Sequence, residues 1–369
     1  MNNGIYTNEA VGLLQRLIAI PSASRDEGRA ADMLSEYMSE HGLQHDRTGN
    51  NIVAVCGDYD ASKPTLMLNA HIDTVRPVAS WTRDPFAPDL EGDRLYGLGS
   101  NDCGGGLVSL LQVYRVLLSL ARAYNILYVA SAEEEVSGCN GLSLVLPQLP
   151  KVDVAIVGEP TGMQPAIAEK GLMVIDGTAH GKAGHAARDE GVNAIGVALD
   201  DLLWLRDYRF ERVSPLLGAV KMSVTIINAG TQHNVVPDEC RFVVDVRTNE
   251  LYTNHEVFDT IRQNVRSDVK ARSFRLNSSH IAPDHPMVKR MTDMGMVPFG
   301  SPTLSDQALM PFPSFKLGPG ESSRSHCADE YICVSEIDDA IDKYLRLLSA
   351  LPAEDLCYCS GATGGGPYL

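Results

Sequence analysis

The stretch that most constrains the fold is Leu66–Val75, which reads Leu-Met-Leu-Asn-Ala-His-Ile-Asp-Thr-Val. Its first half is a short apolar run, which is typical of a strand that is buried on both faces of a sheet. Residues two apart along a strand point to the same side, so His71 and Asp73 emerge together at its end. A carboxylate beside an imidazole fixes the imidazole tautomer and strengthens it as a metal ligand. The stretch therefore predicts a buried strand that leads into a metal site.

Predicted helices and strands alternate through the first part of the chain. The predicted strands Asn125–Ser131 and 153–158 are each followed by acidic residues, as Leu66–Ala70 is followed by His71. Ligands of open α/β sheets bind at the edge where the carboxyl ends of the strands meet. This pattern predicts an α/β fold in which a mixed sheet is flanked by helices.

The pattern changes after Glu169. Three segments alternate apolar and polar residues, as strands with one exposed face do, and two segments have helical spacing. The predicted strands are 172–180, 221–228 and 240–247, and the predicted helices are 193–207 and 254–267. Two helices on an antiparallel sheet predict a small inserted α+β domain.

The length of 369 residues favours two domains, because a single core usually stops growing at a smaller size. We assign residues 1–165 and 281–355 to one discontinuous domain and residues 166–280 to the inserted domain. The Gly-rich residues 356–369 have the composition of a disordered tail.

Composition and charge exclude several classes of partner. The formal net charge of −16 disfavours nucleic acid, whose phosphates require a basic surface. No apolar stretch approaches the roughly 18 residues of a membrane helix, and the first residues lack a secretory signal pattern, so we expect a cytoplasmic protein. The 8 cysteines form no C-x-x-C pair, which argues against a disulfide framework or a zinc knuckle.

Five residues are candidate metal ligands, although a single His or acidic residue in such a place is usually structural. Mixed imidazole and carboxylate ligands suit zinc or another first-row divalent cation better than magnesium or calcium. One bridging carboxylate, with one His and one carboxylate for each ion, would form a two-metal site that activates water. A member of the Glu133–Glu135 run would accept the proton of that water. The five candidates are His71, Asp102, Glu135, Glu159 and His326.

These motifs resemble those of the dinuclear zinc exopeptidase/deacylase family, which includes acetylornithine deacetylase, succinyl-diaminopimelate desuccinylase, aminoacylase and glutamate-releasing carboxypeptidase. The resemblance extends to about Leu351. His71-Ile-Asp73 matches the H-x-D motif of the family, and the segment from Gly97 to Asp102 matches its bridging-aspartate loop. The resemblance implies a zinc-exopeptidase-like mixed sheet, an inserted lid and dimerisation domain, and two Zn²⁺ ions, with Co²⁺ or Mn²⁺ as alternatives.

The resemblance also implies a role for each residue of the site. Glu134 would be the general base, Asp73 would support His71, and a cis peptide would follow Asp102. Glu133 stands where the family usually has Asp. One zinc would be held by His71, Asp102 and Glu159, and the other by Glu135, Asp102 and His326.

Three residues of the inserted domain match positions that the family uses near its substrate. His185 would reach the site of a neighbouring subunit and stabilise the oxyanion, which predicts a homodimer. Asn234 and Arg247 would bind substrate. Arg247 is suited to this role because an Arg pairs bidentately with a carboxylate.

Three functions remain open from the sequence. The first is a zinc-dependent amidohydrolase of arginine biosynthesis that removes the acyl group from acetylornithine or succinylornithine, and the motifs from Ser301 to Asp306 and from Gly318 to Glu330 favour it. The second is a succinyl-diaminopimelate desuccinylase, a metallo-dipeptidase or an aminoacylase. The third is a catalytically silent metal-binding module, which the complete ligand set and the candidate base disfavour.

Overall fold

The computed structural model describes residues 4–188 and 190–357, which form two compact units. The first unit contains the chain up to Ile167, Ile281–Phe299 and the residues from Ser305 onward. The second unit contains Ala168–His280 and Gly300–Leu304. The domain boundaries drawn from the sequence stay a prediction, and they assign Gly300–Leu304 to the first domain and not to the second unit. The predicted tail falls almost wholly on residues 358–369, which lie outside the described residues.

The first unit is built on a mixed sheet whose central strand is Thr65–His71. This strand runs parallel to both of its neighbours, Asn125–Ser131 and Val154–Val157, and all seven of its residues are buried. Both the predicted burial and the predicted mixed sheet are confirmed. The spatial order of the strands is Asp46–Thr48, Asn51–Val55, Asn125–Ser131, Thr65–His71, Val154–Val157, Ser314–Lys316 and Ala166–Glu169.

Six helices lie in the described part of the first unit. They are Gly4–Ile18, Gly28–Glu40, Gly105–Leu118, Leu142–Val145, Pro286–Asp293 and Val334–Leu348. Three short strands form a separate small sheet: Asp89–Glu91, Arg94–Tyr96 and Tyr331–Cys333. Single helical turns occur at Glu134–Val136, Leu146–Gln148, Asp306–Leu309, Ser322–Arg324 and Ala353–Asp355.

Helix Gly105–Leu118 is almost completely buried, which explains the glycines at its start. A Cβ atom on Gly106 would lie 1.7 Å from the carbonyl oxygen of Gly158. Gly158 directly precedes Glu159, so this backbone contact fixes the place of Glu159 beside the turn Ser100–Gly104.

The second unit is an antiparallel sheet with two helices, Ala194–Asp207 and Asn254–Asn264, and it has its own apolar core. The predicted alternation of buried and exposed residues is confirmed for Gly171–His180 and Glu239–Thr248. It is wrong for Lys221–Ala229, which is an edge strand with most residues exposed. The sheet order is Lys221–Ala229, Glu239–Thr248, Gly171–His180 and Asp268–Ala271, and the short strands are Gly184–His185, Val235–Val236 and Ser279–His280, with Phe299–Ser301 at the unit boundary.

One local expectation is corrected. The pattern of Ser24 and Glu27 predicts a capping box for the second helix, but that helix begins at Gly28 and Glu27 makes no side-chain cap. The Ser24 hydroxyl instead donates to the Asp73 carboxylate at 2.7 Å. The Ser24 hydroxyl therefore bonds a residue distant in sequence and does not cap the helix.

Among the described residues, no helix combines the length and apolar character that crossing a membrane requires.

Candidate metal centre

The site lies where three parallel strands end. Thr65–His71 ends at His71 itself, Asn125–Ser131 leads to Glu134 and Glu135, and Val154–Val157 leads to Glu159. Because parallel strands present their carboxyl ends at one edge of a sheet, these side chains meet although they are remote in sequence. The expectation of a shared edge is therefore met by the topology.

His71 is buried and its orientation is fixed by a main-chain hydrogen bond. Its Nδ1 lies 2.8 Å from the carbonyl oxygen of Asp73, and a carbonyl only accepts, so Nδ1 carries the proton. This tautomer leaves Nε2 as the atom that is free to bind a cation. Nε2 lies 3.2 Å from Asp102 Oδ1 and 3.7 Å from Glu159 Oε1.

The Asp73 carboxylate has a different main contact from the one expected. Its Oδ1 is 3.6 Å from His71 Nδ1, and the carboxylate accepts hydrogen bonds from the backbone N–H groups of Glu134 and Glu135 at 3.0 and 3.1 Å. Asp73 thus orients His71 through its carbonyl and the acidic turn through its side chain. A sequence pattern does not distinguish the two oxygen types of one residue.

Asp102 lies between the two histidines. Its Oδ1 faces His71, and its Oδ2 lies 3.6 Å from His326 Nε2. His326 Nε2 is also 3.0 Å from the Glu135 carboxylate. The structure therefore brings the five candidates together, with one His and one Glu on each side of a central Asp.

The peptide bond between Asp102 and Cys103 is cis, as the family resemblance implies. The Cys103 thiol is buried and its Sγ accepts the backbone N–H of His71 at 3.2 Å. Burial raises the pKa of this thiol well above its ordinary value, so the side chain packs as a neutral group.

The electrostatics of the cluster indicate an excess of negative charge. Desolvation, reinforced by nearby Asp102, raises the pKa of Glu159 to about 8. Desolvation and the charge of Glu159 likewise raise the pKa of Glu134 well above its ordinary value. The hydrogen bond to Glu135 raises the pKa of His326 to about 9. These raised pKa values mean that the crowded carboxylates favour bound protons, and a bound cation would supply the same positive charge.

The residues fit a pair of divalent cations. Glu159 Oε1 is buried and has no hydrogen-bond partner among the described residues, which is costly unless a positive group approaches it. His71 with Asp102 and Glu135, and His71 with Cys103 and Glu159, each place one donor atom per residue within 4.8 Å of one another. Imidazole and carboxylate donors of this kind suit a first-row divalent metal.

The remaining predicted residues belong to the second unit. His185 is exposed, and its Nδ1 accepts the backbone N–H of Ala187 at 3.1 Å. Asn234 is its neighbour, since the Asn234 carbonyl accepts the N–H of Ala186 at 3.0 Å. Arg247 pairs with Asp245 through two hydrogen bonds of 2.8 and 3.1 Å. The roles of all three in substrate binding or catalysis stay predictions.

Sequence reasoning missed several residues that support the site. Glu330 is 3% exposed and accepts backbone N–H groups of the loop that carries Asp102. Burial raises its pKa to about 8, although these hydrogen bonds oppose the rise. Lys316 is also buried, and its positive charge partly opposes the rise in the pKa of Glu159. A charged side chain ordinarily indicates solvent exposure, so the sequence alone does not predict that Glu330 and Lys316 are buried.

A fold of this kind, with a carboxylate between two histidines at its sheet edge, defines a metal-dependent hydrolase. The chain belongs to the peptidase family M20/M25/M40, whose model matches residues 67–350. The family resemblance stated from the motifs is thereby confirmed, and the enzyme class with it. The family includes dinuclear metal-binding enzymes.

The similar proteins include several with different printed activities. An acetylornithine deacetylase of Edwardsiella ictaluri is 28% identical over 357 residues, covering 87% of this chain and 92% of the relative. A putative succinyl-diaminopimelate desuccinylase of Mycobacterium tuberculosis is 27% identical over 357 residues, covering 92% and 98%. The fold matches the YXEP protein of Bacillus subtilis, a dinuclear metal-binding peptidase, with a TM-score of 0.71, 16% identity and coverage of 94% and 98%.

Proposed function

We propose that this chain is a cytoplasmic, zinc-dependent amidohydrolase that removes the Nα-acyl group from acylornithine in arginine biosynthesis. The observation that carries the proposal is the position of Asp102, whose two oxygens lie 3.2 and 3.6 Å from the Nε2 atoms of His71 and His326. A carboxylate in this position is suited to bridging two cations. His71, Asp102 and Glu159 would hold one Zn²⁺, and Glu135, Asp102 and His326 the other.

Glu134 is suited to move the proton in the reaction. It adjoins the ligand Glu135, and its backbone N–H donates to Asp73 at 3.0 Å. Desolvation and the charge of Glu159 raise its pKa, which makes it a stronger base than an exposed carboxylate. Bound divalent cations would supply acidification of water and polarisation of the amide carbonyl. Glu134 accepts the proton of the attacking water and then donates it to the departing amine, and His185 stabilises the oxyanion.

The relatives support an acylated amino acid as substrate and leave the acyl group as the finer question. The Edwardsiella ictaluri relative favours the acetyl group of acetylornithine, while succinylornithine has one carboxylate more. The Mycobacterium tuberculosis relative favours a second candidate function, the removal of succinate from succinyl-diaminopimelate. Membership of a hydrolase family disfavours the silent metal-binding module.

Metal analysis combined with a substrate panel tests the proposal. The purified full chain is analysed for bound metals and then incubated with acetylornithine, succinylornithine, succinyl-diaminopimelate and a dipeptide, with products identified by mass spectrometry. We expect two Zn²⁺ per chain and the highest kcat/KM on an acylornithine. Faster turnover of succinyl-diaminopimelate would establish the second candidate, and two bound Zn²⁺ without any hydrolysis would refute an enzyme of either kind.

We also propose a homodimer that forms through the second unit. Strand Lys221–Ala229 pairs on one side only within the described residues, and its Ile226 and Ile227 are 50% and 52% exposed. Helix Ala194–Asp207 exposes Leu199 at 53%. A long apolar edge strand beside an apolar helix face favours pairing with a second copy around a twofold axis.

The dimer is tested by light scattering after size-exclusion chromatography. We expect twice the chain mass for the unaltered protein and a monomer for Ile226→Lys, since a charge would be buried at the paired edge. Lys221→Glu, at the polar start of the same strand, is the matched control and should leave the mass unchanged. A fully active monomer at low concentration would contradict both the dimer and the role of His185 across subunits.

A further inference from the structure

The loop that carries His326 is tied to the loop that carries Asp102 by one buried carboxylate, that of Glu330. Glu330 Oε1 accepts the backbone N–H groups of Asn101 at 2.8 Å and Asp102 at 2.9 Å. Glu330 Oε2 accepts the N–H of Gly99 at 3.1 Å. The Glu330 carbonyl accepts the N–H of Gly97 at 3.0 Å, so four hydrogen bonds to Glu330 join the two loops.

A second residue reinforces this connection from the opposite side. The Asn101 side chain donates to the Glu321 carbonyl at 3.1 Å and accepts the Glu321 N–H at 3.0 Å. These hydrogen bonds fix the position of one loop relative to the other next to the site. The residue before Glu330 makes a different contact: Asp329 accepts from the backbone N–H groups of Thr82 and Arg83 at 3.0 and 3.1 Å.

The turn around Asp102 depends on these contacts because its backbone is irregular. Asp102 has φ −116° and ψ 102°, which interrupts the helical hydrogen bonds on either side. The N–H groups of Asn101 and Asp102 would lack these acceptors without Glu330, and a buried N–H without an acceptor is costly. The Asp102 side chain, in turn, must present one oxygen to each histidine at 3.2 and 3.6 Å.

We propose that Glu330 is a positioning residue that holds Asp102 between the two cation positions, so that both positions form together. This inference rests on the proposed two-cation site. Glu330 is four residues after His326, and its carboxylate accepts the backbone N–H of Asp102, so one side chain sets the separation between His326 and the central Asp102. Groups that orient metal ligands in this way typically change metal affinity by about 10- to 100-fold when they are altered.

Glu330→Gln is the most informative variant. The amide has the same shape, but its NH₂ group would face a backbone N–H in place of an acceptor. Asp329→Asn is the matched control, because it alters the adjacent carboxylate of the same loop, which bonds Thr82 and Arg83 and makes no contact with the Asp102 loop among the described residues. Glu330→Asp keeps the charge on a side chain that is one methylene shorter, and it serves if Glu330→Gln does not fold.

Each full-length protein is stripped with a chelator and titrated with Zn²⁺ against a chromophoric competitor, and its thermal unfolding is recorded without metal. We expect the unaltered chain and Asp329→Asn to bind two Zn²⁺ with similar affinities. Glu330→Gln should bind both ions about 10- to 100-fold more weakly, and Glu330→Asp should change in the same direction by less.

The outcomes separate this inference from the proposed function. If the unaltered chain binds two Zn²⁺ and the Glu330 variants bind them equally well, the positioning role is wrong while the hydrolase proposal stands. If Asp329→Asn weakens binding as much as Glu330→Gln, general loosening of the loop explains the loss and the inference is overturned. If the unaltered chain binds fewer than two Zn²⁺, the two-cation proposal itself fails.

Discussion

The adjacent residues Glu134 and Glu135 provide the sharpest test of which residue transfers the proton and which binds a cation. Glu135 lies 3.0 Å from His326 Nε2 and belongs to the ligand group, whereas Glu134 is assigned the proton. In Glu134→Gln the side chain keeps its shape and loses the ability to accept a proton. In Glu135→Gln a cation position loses one of its charged donors.

The size of the expected effect follows from these assignments. A positioned general base contributes about 100- to 10,000-fold in rate. At about 1.36 kcal/mol per factor of ten, Glu134→Gln should raise the activation barrier by about 2.7–5.4 kcal/mol.

The assay measures two quantities for each variant: kcat on acetylornithine and the number of zinc ions per chain by elemental analysis. Glu134→Gln should retain two Zn²⁺ and lose kcat, whereas Glu135→Gln should lose Zn²⁺ as well as activity. Glu133→Gln is the control, since the Glu133 carboxylate bonds Asn140 in place of the ligand cluster. The reasoning is refuted if Glu134→Gln releases zinc, or if it keeps zinc and turns over within about threefold of the unaltered chain, well short of a base's contribution.

Three further predictions concern protons, cations and packing. Since the pKa values of His326 and Glu159 are raised to about 9 and about 8, Zn²⁺ must displace a proton from each at neutral pH, so competitive titrations at pH 7 and 8 should show Zn²⁺ binding at least about tenfold more tightly at pH 8, and His326→Ala should reduce this difference and leave the part that comes from Glu159. Adding Zn²⁺ at about 100 times its dissociation constant should stabilise the folded chain by about 2.7 kcal/mol for each of the two bound ions in urea unfolding, and equal unfolding curves with and without metal would contradict this. Leu68→Ala in the fully buried central strand should cost about 2–5 kcal/mol in the same measurement, against a near-neutral exposed control such as Val297→Ala.

The sequence predicted the parts of the site that depend on chain direction and burial. The apolar run before His71 predicts a strand, and parallel strands bring their carboxyl ends to one edge, so the sequence predicts that His71, Glu135 and Glu159 lie at the same edge of the sheet. The alternating pattern of Lys221–Ala229 predicts a half-buried strand, yet most of its residues are exposed, because an apolar composition does not show which element would cover the strand.

The sequence did not predict which polar groups would pair across long separations. Ser24 bonds Asp73 in place of its own helix, and Glu330 bonds the loop of Asp102 more than two hundred positions earlier. Each of these residues has a plausible local partner or a plausible exposed state in the sequence. The choice is made by tertiary packing, which local propensity does not contain.

The contact between Gly106 and Gly158 has a consequence for how this chain tolerates change. A methyl group on Gly106 would meet the Gly158 carbonyl, and one on Gly158 would lie 2.9 Å from Leu110. Neither glycine touches a reactant, yet any side chain there would push Glu159 away from Asp102. A saturation-mutagenesis survey scored by activity should therefore find these two bare backbone positions as intolerant as the ligands, for want of space alone.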